Sequence, residues 1–268
     1  MAGIRFGIIR FIGQKHTWGV ESKKGNGLEN INISNSRVKE MKRSVQWFTF
    51  LIILTAAVHG WGQAETERVI RLSKPAYDGK VSVERAIKGR RTIRDFRSKP
   101  LTMAQLSQLL WSAQGITDER MGFRAAPSGG ALYPLNIYTV VGEGGVEGVE
   151  SGIYHYHPSS HGIQLIRKGD RRKEVAGAAL WQMWMARAPV IFVITSEYER
   201  ITRKYGNRGI RYAQIEVGHV GQNIFLQSGA LGLGAGIVGA FHDDAVTEAI
   251  GAPEAHRPLI IMPVGYKK

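Results

Sequence analysis

Two short segments carry residues whose types could do chemistry. In the first, Arg90, Arg91, Arg94 and Arg97 lie within eight positions, and Thr92 adds a hydroxyl among them. Arginine presents a planar fork of donors that matches phosphate oxygens, and a hydroxyl supplies a further donor. The segment is therefore a candidate phosphate site, with a solvated basic surface as the alternative.

Lys204 and Tyr205 form the second candidate. A lysine or tyrosine whose pKa is depressed by its surroundings can remove a proton from a substrate. Composition alone fits an ordinary polar surface equally well. The pair is a candidate general base only if the fold places it beside a binding site.

Between these segments lies a loop of small residues, residues 125–134, with the sequence AAPSGGALYP. Gly129 and Gly130 follow a serine and have no side chain, so the backbone there can approach a flat ligand closely. A β-branched segment at 137–141 comes directly after the loop and predicts a strand that would hold it.

Other chemistries find little support. The chain has no cysteine, which excludes disulfides, thiolate catalysis and cysteine-ligated metal sites. The glycine-rich segment 232–236 resembles part of a dinucleotide fingerprint, but it follows a predicted helix and precedes a predicted strand, the reverse of the required order. No Gly-x-Ser-x-Gly motif indicates a serine hydrolase.

Two arrangements of histidine were weighed as metal sites. Glu216 and His219 have the spacing of helical di-metal sites, yet such sites need a second pair that the sequence lacks. His155, His157 and His161 lie on a predicted hairpin, for which we expect an exposed surface rather than a metal. We therefore predict no metal site.

The longest predicted element is a helix over residues 210–231, which has no proline and carries apolar residues at helical spacing. A polar stripe follows one face of this helix. Buried polar groups need partners, so the stripe either bonds to other protein groups or faces a cofactor or a second subunit. Its members are Tyr212, Glu216, His219, Asn223 and Gln227.

The other predicted elements interleave helices and strands without a regular βαβ repeat. We predict a single α+β domain over residues 82–268, preceded by a linker at 65–81. Thr102 and Gln105 form a capping box that opens one of the helices. Helices are predicted at 83–88, 102–113, 174–187 and 243–250, and strands at 137–141, 152–157, 164–167, 190–195, 235–238 and 259–264.

The amino-terminal segment predicts targeting rather than folding. Residues 1–40 are rich in Gly, Asn, Ser and Lys and are predicted to be disordered, or to be an over-extended start if Met41 is the natural one. Residues 41–64 have the order of a signal peptide: a basic start, an apolar run of fourteen residues and small residues before a cut. An uncleaved membrane anchor at 45–64 is the alternative. We expect export to the periplasm or cell envelope if this segment works, and a cytoplasmic protein otherwise.

The formal net charge is +14, of which residues 1–44 contribute +6 through nine Lys/Arg and three Glu. Residues 45–64 carry no charged side chain, so the remainder carries +8. Such a charge favours anionic ligands. No zinc-finger spacing, basic-region heptad or RNP-like motif is present, and nucleic-acid binding is not predicted.

Taken in order, the motifs resemble the nitroreductase-like flavoprotein superfamily, and within it the SagB-type branch that includes the thiazoline/oxazoline dehydrogenases. The resemblance runs from about Ser82 to Tyr266. It is carried by RRTIRDF at 90–96, PSGGALYP at 127–134, GIYHY at 152–156, EVGH at 216–219 followed by Gln222 and Asn223, GAF at 239–241 and PVGY at 263–266.

This resemblance implies a nitroreductase-like α+β fold with a central, mostly antiparallel sheet flanked by helices, in an intertwined homodimer that holds FMN at the subunit interface. It implies phosphate-side contacts from Arg90, Arg91 and Thr92. The residues implied for the ring side of the cofactor are Pro127, Ser128, Gly129, Gly130, Gly239 and Ala240. Asn223 is a further candidate cofactor contact.

The resemblance also raises Lys204 and Tyr205 to a candidate pair for proton removal while flavin accepts hydride. It implies an FMN-dependent oxidoreductase acting on a peptide azoline-like or small organic substrate. The alternatives are a nitro- or quinone-type reductase, and a catalytically degenerate flavin-binding protein of the envelope. The chain departs from many relatives in ending at Lys267-Lys268, where they place a further phosphate contact.

Overall fold

The computed structural model describes residues 69–268. The segments predicted to be disordered (1–40) and to direct export (41–64) lie outside these residues. Within the described part of the chain, no helix combines the length and the apolar character that crossing a bilayer requires.

A seven-stranded sheet forms the centre of the fold, and every strand in it is antiparallel to its neighbours. Its spatial order is β1-β6-β5-β4-β7-β9-β8, and β2 and β3 form a separate two-stranded ribbon. The strands are β1 (Val69–Arg71), β2 (Ile116–Asp118), β3 (Phe123–Arg124), β4 (Leu135–Val141), β5 (Gly152–His157), β6 (Gly162–Lys168), β7 (Val190–Glu197), β8 (Leu233–Ala235) and β9 (His256–Tyr266).

Six α-helices flank the sheet within the described residues. Short 3₁₀ turns at Gly129–Ala131 and Met183–Arg187 add to them. The α-helices are α1 (Val83–Gly89), α2 (Met103–Gln114), α3 (Arg172–Ala178), α4 (Glu199–Tyr205), α5 (Arg208–Ala230) and α6 (Asp243–Ile250).

The two sheet faces bury different helices, because successive strand residues point to opposite faces. On one face, Phe192 and Ile194 of β7 pack in one buried cluster with residues of α2 and α5. On the other, Ile191 and Val193 pack with residues of α3 and α6. The fold is thus the predicted α+β class, a mostly antiparallel sheet between two helical layers.

Several predicted boundaries are confirmed. The capping box at Thr102 and Gln105 is formed in both directions, with N···O distances of 3.0 and 3.2 Å. The long helix covers Arg208–Ala230, within two residues of the prediction at each end. The last helix has the predicted bounds, because Gly251 ends it in the left-handed region.

The helix predicted over 174–187 is wrong. The chain forms α3 only to Ala178, passes through left-handed backbone at Leu180 and Trp181 (φ of 54° and 58°), and then makes a 3₁₀ turn. Gln182 donates its side-chain amide to the carbonyls of both Ala179 and Ala240, which turns the chain toward residue 240. Tertiary contacts therefore override the helical pattern of the sequence.

Two strand predictions also need correction. The strand predicted at 235–238 is Leu233–Ala235, and Val238 adds only an isolated bridge to Ile261. The predicted linker at 65–81 contains β1, which pairs with β6 through Ile70 and Ile163. A three-residue edge strand carries too little periodicity to be recognised from sequence.

Candidate active site

The small-residue loop is strained. Gly130 lies in left-handed backbone (φ 64°), and so do Ala131 (φ 55°) and Tyr133 (φ 46°). Non-glycine residues in this region cost of order 1–3 kcal/mol each and persist only where surrounding contacts hold them. The predicted flavin-facing loop therefore depends on its neighbours for its shape.

Lys204 and Tyr205, the predicted pair for proton removal, lie against this loop. A Cβ atom added to Gly130 would lie 2.5 Å from the hydroxyl of Tyr205 and 3.2 Å from Nζ of Lys204. Both residues end α4, and Gly206 follows with a φ of 55° that turns the chain into α5. Two segments separated by more than seventy residues in sequence are thus in contact, and only a glycine fits between them.

Tyr205 is fixed from its other side by Tyr212 of α5. Their ring centroids are 5.1 Å apart at an interplanar angle of 84°, the edge-to-face arrangement that aromatic pairs favour. Lys204 is exposed, and its Nζ lies 5.3 Å from the Tyr205 ring centroid. The tyrosine is therefore held more firmly than the lysine.

A cavity of about 180 Å³ opens beside the loop. Its floor is α5, and its rim is the loop itself, so the polar stripe predicted on the long helix faces it in part. The lining residues are Pro127, Ser128, Gly129, Tyr212, Ile215, Glu216 and His219.

Glu216 is the buried acid of this cavity, with 1% of its surface exposed. Burial raises its pKa, and hydrogen bonds from Ser128 and Gln114 offset part of that rise. Gln114 Nε2 donates to Oε1 at 3.1 Å, whereas Oε2 is buried with no partner of good geometry among the described residues. The Ser128 hydroxyl is close enough to affect the pKa without forming a well-aligned bond to that atom.

Three residues at this site were not predicted to be functional. Arg124 donates to the side-chain oxygen of Gln114 at 3.1 Å, and its guanidinium lies 4.4 Å from the centroid of the Tyr133 ring. Burial lowers the pKa of Arg124, which Tyr133 and Glu216 partly restore. Of Gln114, Arg124 and Tyr133, only Tyr133 belongs to a recognised motif, the PSGGALYP segment at 127–134. No spacing in the sequence relates Gln114 to the loop.

The rest of the polar stripe mostly bonds to α2. Asn223 Nδ2 donates to the carbonyls of Ser112 and Ala125 at 2.9 and 3.4 Å, and Gln227 accepts from Gln108 at 3.3 Å. Within the chain, the stripe therefore follows the reading in which it bonds to other protein groups. Contact between Asn223 and a cofactor stays a prediction.

The arginine cluster lies away from the loop cavity in the fold. The Arg90 guanidinium lies 5.2 Å from the centroid of the Phe225 ring, and Arg91 donates to the carbonyls of Lys88 and Arg90. Thr92 pairs with Ala235 as a parallel bridge. A small cavity of about 30 Å³ there is lined by Arg90, Arg91, Gly229, Gly234 and Lys267 among others, so a carboxyl-terminal lysine joins the arginines.

Gly239 and Ala240 are exposed just beyond β8. No atom lies within 4 Å of a Cβ built on Gly239, and the Ala240 carbonyl accepts from Gln182 at 3.1 Å. The nearby Gly236 meets the Trp184 ring closely, since a Cβ there would lie 2.7 Å from it. The backbone at Gly239, unlike that at Gly236, is therefore open for a ligand to approach.

Within one chain, the loop and the arginines lie on different sides of α5. Tyr212 at the loop and Phe225 at Arg90 are thirteen residues apart, a rise of about 20 Å, and point about 140° apart around the helix. The predicted cofactor contacts therefore fall into two groups that α5 separates.

The three hairpin histidines do not converge. His161 bonds to Ser107 and Tyr156, and His157 bonds to Gln164. Burial lowers the pKa of His155 to about 4, helped by His157 and His256 nearby. They are partly buried rather than exposed, which corrects the expected exposed hairpin. Residues 69–268 contain no group of three or more His, Asp or Glu side chains placed to hold a metal.

Comparison with known proteins identifies the class that this fold and site define. The sequence profile of the nitroreductase family matches residues 87–266, and the chain belongs to that family. The nitroreductase-type protein MJ1384 of Methanocaldococcus jannaschii is 47% identical over 187 residues, covering 70% of this chain and 92% of its own.

Two further relatives place the chain within the family. The microcin B17-processing protein McbC of Escherichia coli is 25% identical over 167 residues, covering 60% of this chain and 61% of its own. A crystal structure of a nitroreductase from Anabaena variabilis superposes with a TM-score of 0.66 at 28% identity, covering 76% of this chain. This chain spans 42% of the Anabaena chain. The nitroreductase-like resemblance is confirmed, and the McbC relative agrees with the branch named from the sequence.

Proposed function

We propose that the protein is an FMN-dependent oxidoreductase of the SagB-type branch, in which Lys204 and Tyr205 handle the substrate proton. The observation that carries this proposal is the contact of Gly130 with both residues. It brings the candidate base to the loop that the family resemblance assigns to the cofactor.

The residues present fit a flavin mononucleotide. Arg90, Arg91 and Lys267 line one small cavity, and their charge and N–H donors are of the kind that a phosphate needs. Gly239 leaves its backbone open for a flat ring, and the loop at 127–130 borders a separate cavity. Both kinds of contact that this cofactor needs are therefore available.

A homodimer would unite these two groups of contacts. Helix α5 stands between them in one chain, so we propose that a second copy supplies the loop to the arginines of the first. An exposed face of α5 supports this assembly: Ile215 is 50% exposed, and Gly218 and Gly229 have no atom within 4 Å of an added Cβ. Small residues on a helix face permit close packing of a partner.

When bound, flavin supplies the acceptor for a hydride. Oxidation of a carbon–heteroatom bond releases one hydride and one proton, and the proton needs a base within hydrogen-bonding reach. The Tyr205 hydroxyl, held against Gly130 and by Tyr212, would relay this proton: it accepts the substrate proton while passing its own proton to the neutral amine of Lys204, which ends as the ammonium. An acceptor such as dioxygen completes the cycle by removing two electrons.

The proposed substrate is a peptide azoline-like ring or a similar small organic molecule. The relative named for microcin B17 processing supports a peptide-derived substrate. The decisive experiment is to purify the protein, record its visible spectrum with and without added FMN, and measure turnover of an azoline peptide. Absence of flavin absorbance after reconstitution and gel filtration would end this proposal.

A nitro- or quinone-type reductase is the second candidate. The relative of higher identity, in Methanocaldococcus jannaschii, bears the nitroreductase name. Anaerobic assays with reduced nicotinamide and a nitroarene or quinone discriminate between the two. Reduction that Tyr205→Phe leaves unchanged favours the reductase, and loss of azoline oxidation in the same variant favours the dehydrogenase. Flavin binding without turnover in either assay would favour the degenerate envelope protein.

We also propose that residues 41–64 direct the protein to the cell envelope. The basic start and the apolar run of this segment support export. Amino-terminal sequencing of the protein from fractionated cells tests both parts of the idea. A terminus upstream of Met41 removes the proposed start, and an intact 45–64 segment removes cleavage.

A further inference from the structure

Five polar residues form a ring of interactions around the strained loop, of which four are hydrogen bonds made by side-chain or backbone atoms. Gln114 Nε2 donates to Glu216, and Arg124 donates to Gln114, each at 3.1 Å. The Arg124 backbone N–H donates to the Tyr133 hydroxyl at 3.1 Å, and the Tyr133 N–H donates to Ser128 Oγ at 2.9 Å. The Ser128 hydroxyl lies near the Glu216 carboxyl without a well-aligned bond, so the two ends of this series of bonds come together.

The ring joins four separate parts of the fold. Gln114 is the last residue of α2, Arg124 belongs to β3, Glu216 lies on α5, and Ser128 and Tyr133 flank the loop. Its inner members are buried, since Gln114 and Glu216 are each 1% exposed. In this low-dielectric setting each hydrogen bond is strengthened, and the loss of one leaves a buried group unpaired.

The ring encloses the three left-handed residues, Gly130, Ala131 and Tyr133. Within residues 128–133, the ring bond to Ser128 Oγ and the 3₁₀ contact from Ala131 N–H to the Ser128 carbonyl fix the backbone. Gly130 is the point where this backbone meets Lys204 Nζ and the Tyr205 hydroxyl. Movement of the loop would therefore change the distance between Gly130 and the side chains of Lys204 and Tyr205.

We propose that Glu216, Gln114 and Arg124 are positioning residues that hold the 128–133 loop in register with Lys204 and Tyr205. The catalytic consequence rests on the proposed function, whereas the holding of the loop does not. None of the three needs to touch substrate, because their effect passes through Ser128 and Tyr133. The same ring places the half-buried Arg124 near the buried Glu216 without a direct ion pair, because Gln114 lies between them.

Amide hydrogen exchange on the cofactor-free protein tests the holding role. Gln114→Met keeps the length of the side chain and removes both of its ring bonds. We expect the Arg124 and Tyr133 amides to exchange at least tenfold faster, relative to amides of β7 in the same variant. Ser112→Ala is the matched control, because its hydroxyl is buried on the same helix but bonds only to Leu109 of that helix.

Two substitutions of Glu216 distinguish the effect of its hydrogen bond from the effect of its packing. Glu216→Gln keeps an acceptor for Gln114 and should leave the exchange of the loop amides within about twofold of wild type. Glu216→Leu fills the same space without an acceptor and should accelerate it as Gln114→Met does. If Gln114→Met does not fold, Tyr133→Phe removes only the bond to the Arg124 amide and should accelerate that amide alone.

In the FMN-loaded protein, Gln114→Met should lower kcat about tenfold with flavin affinity within twofold of wild type, and Ser112→Ala should change neither. Equal exchange in Gln114→Met and Ser112→Ala would overturn the proposal, as would equal exchange in the two Glu216 variants. Failure to bind flavin at all removes the proposed function but leaves the exchange comparison valid. The two ideas can therefore fail separately.

Discussion

The two groups of candidate site residues differ in how completely the chain holds them. We call residues 124–133 with α4 and the amino-terminal half of α5 the loop half, and residues 89–94, 234–241 and Lys267 the arginine half. In the loop half, four hydrogen bonds made by side-chain and backbone atoms connect Ser128, Tyr133, Arg124 and Glu216 through Gln114 of α2. In the arginine half, Arg90 and Arg91 make only a ring contact and bonds to local carbonyls.

The backbone shows the same difference. Gly130 lies close against the side chains of the two candidate residues Lys204 and Tyr205, whereas Gly239 has open space around it. Groups that must act on a reacting atom gain from being fixed in advance, while groups that bind a charged ligand can be ordered by that ligand. We infer that the loop half is preorganised for proton transfer and that the arginine half becomes ordered on binding of cofactor and partner.

The largest expected effect comes from removing the base in the loop half. Tyr205→Phe should lower turnover of the dehydrogenase substrate by about 10²- to 10⁴-fold, the usual contribution of general acid–base catalysis, with FMN affinity unchanged. Steady-state kinetics together with a fluorescence titration of FMN measure the two quantities. Arg203→Ala is the control, since Arg203 is on the same helix and only pairs with exposed Glu199. Equal turnover in Tyr205→Phe and Arg203→Ala would contradict the assignment.

The arginine half should show the opposite pattern. Replacing both Arg90 and Arg91 with Gln should weaken FMN affinity by at least about 100-fold, because two charge-assisted hydrogen bonds of about 1.5–3 kcal/mol each are lost and about 1.4 kcal/mol is a tenfold change in affinity. Thermal stability of the cofactor-free protein should change little, since Arg91 bonds only to carbonyls of its own segment and Arg90 makes a single ring contact with Phe225. A titration at two salt concentrations should show weaker salt dependence in the variant.

A charge-matched control separates local contact from net charge. Arg85 and Arg120 are exposed, and each lies outside the candidate site. Changing both to Gln removes the same two charges and should leave FMN affinity within about twofold of wild type. If this control weakens binding as much as the Arg90 and Arg91 variant does, the phosphate assignment to the arginine half is wrong.

Much of this comparison could be anticipated from sequence. The long helix, the capping box and the loop motif depend on local chemistry, namely periodicity, turn residues and glycine, and the structure forms each of them. Lys204 and Tyr205 are also candidates from the sequence, but only their resemblance to a family pair distinguishes them from a polar surface. The contact of this pair with Gly130 is a tertiary fact that no local pattern contains.

The ring of the loop half shows where sequence reasoning stops. Gln114 and Arg124 are ordinary polar residues near the end of a helix and in a two-residue strand. Their role arises because α2 and α5 pack side by side, which buries both Gln114 and Glu216 and makes each the partner of the other. A similar limit explains the broken helix at 179–182, where a bond from Gln182 to the distant Ala240 decides the backbone.

A smaller effect should come from filling the space between Gly130 and the Tyr205 hydroxyl. Gly130→Ala places a methyl group 2.5 Å from the Tyr205 hydroxyl, in left-handed backbone that costs a non-glycine residue about 1–2 kcal/mol. Gly144→Ala has nearly the same φ (58°) in open space and carries the backbone cost alone. Gly130→Ala should therefore lose more stability in thermal unfolding and, unlike Gly144→Ala, lose turnover about tenfold. Equal turnover in the two variants would show that the contact has no catalytic importance.

The smallest expected effect is a pH dependence of thermal stability that arises from Glu216 in the loop half. Burial raises the pKa of Glu216 above its ordinary value of 4.5, so the folded protein favours the protonated acid more than the unfolded chain does. The stability contributed by Glu216 is therefore fully present below pH 4.5 and is lost as pH rises through the folded-state pKa. Glu216→Gln does not titrate, and its melting temperature should gain on that of wild type as pH rises through this window.

The exposed Glu119, changed to Gln, is the control for this titration. Its melting temperature should stay close to that of wild type, because removing a charge from an exposed side chain changes stability little. A constant difference between Glu216→Gln and wild type from pH 4 to 8 would mean that Arg124, through Gln114, compensates the buried charge fully. In that case the loop half would be held by an ion pair acting through an amide, and its rigidity would persist at every pH in that range.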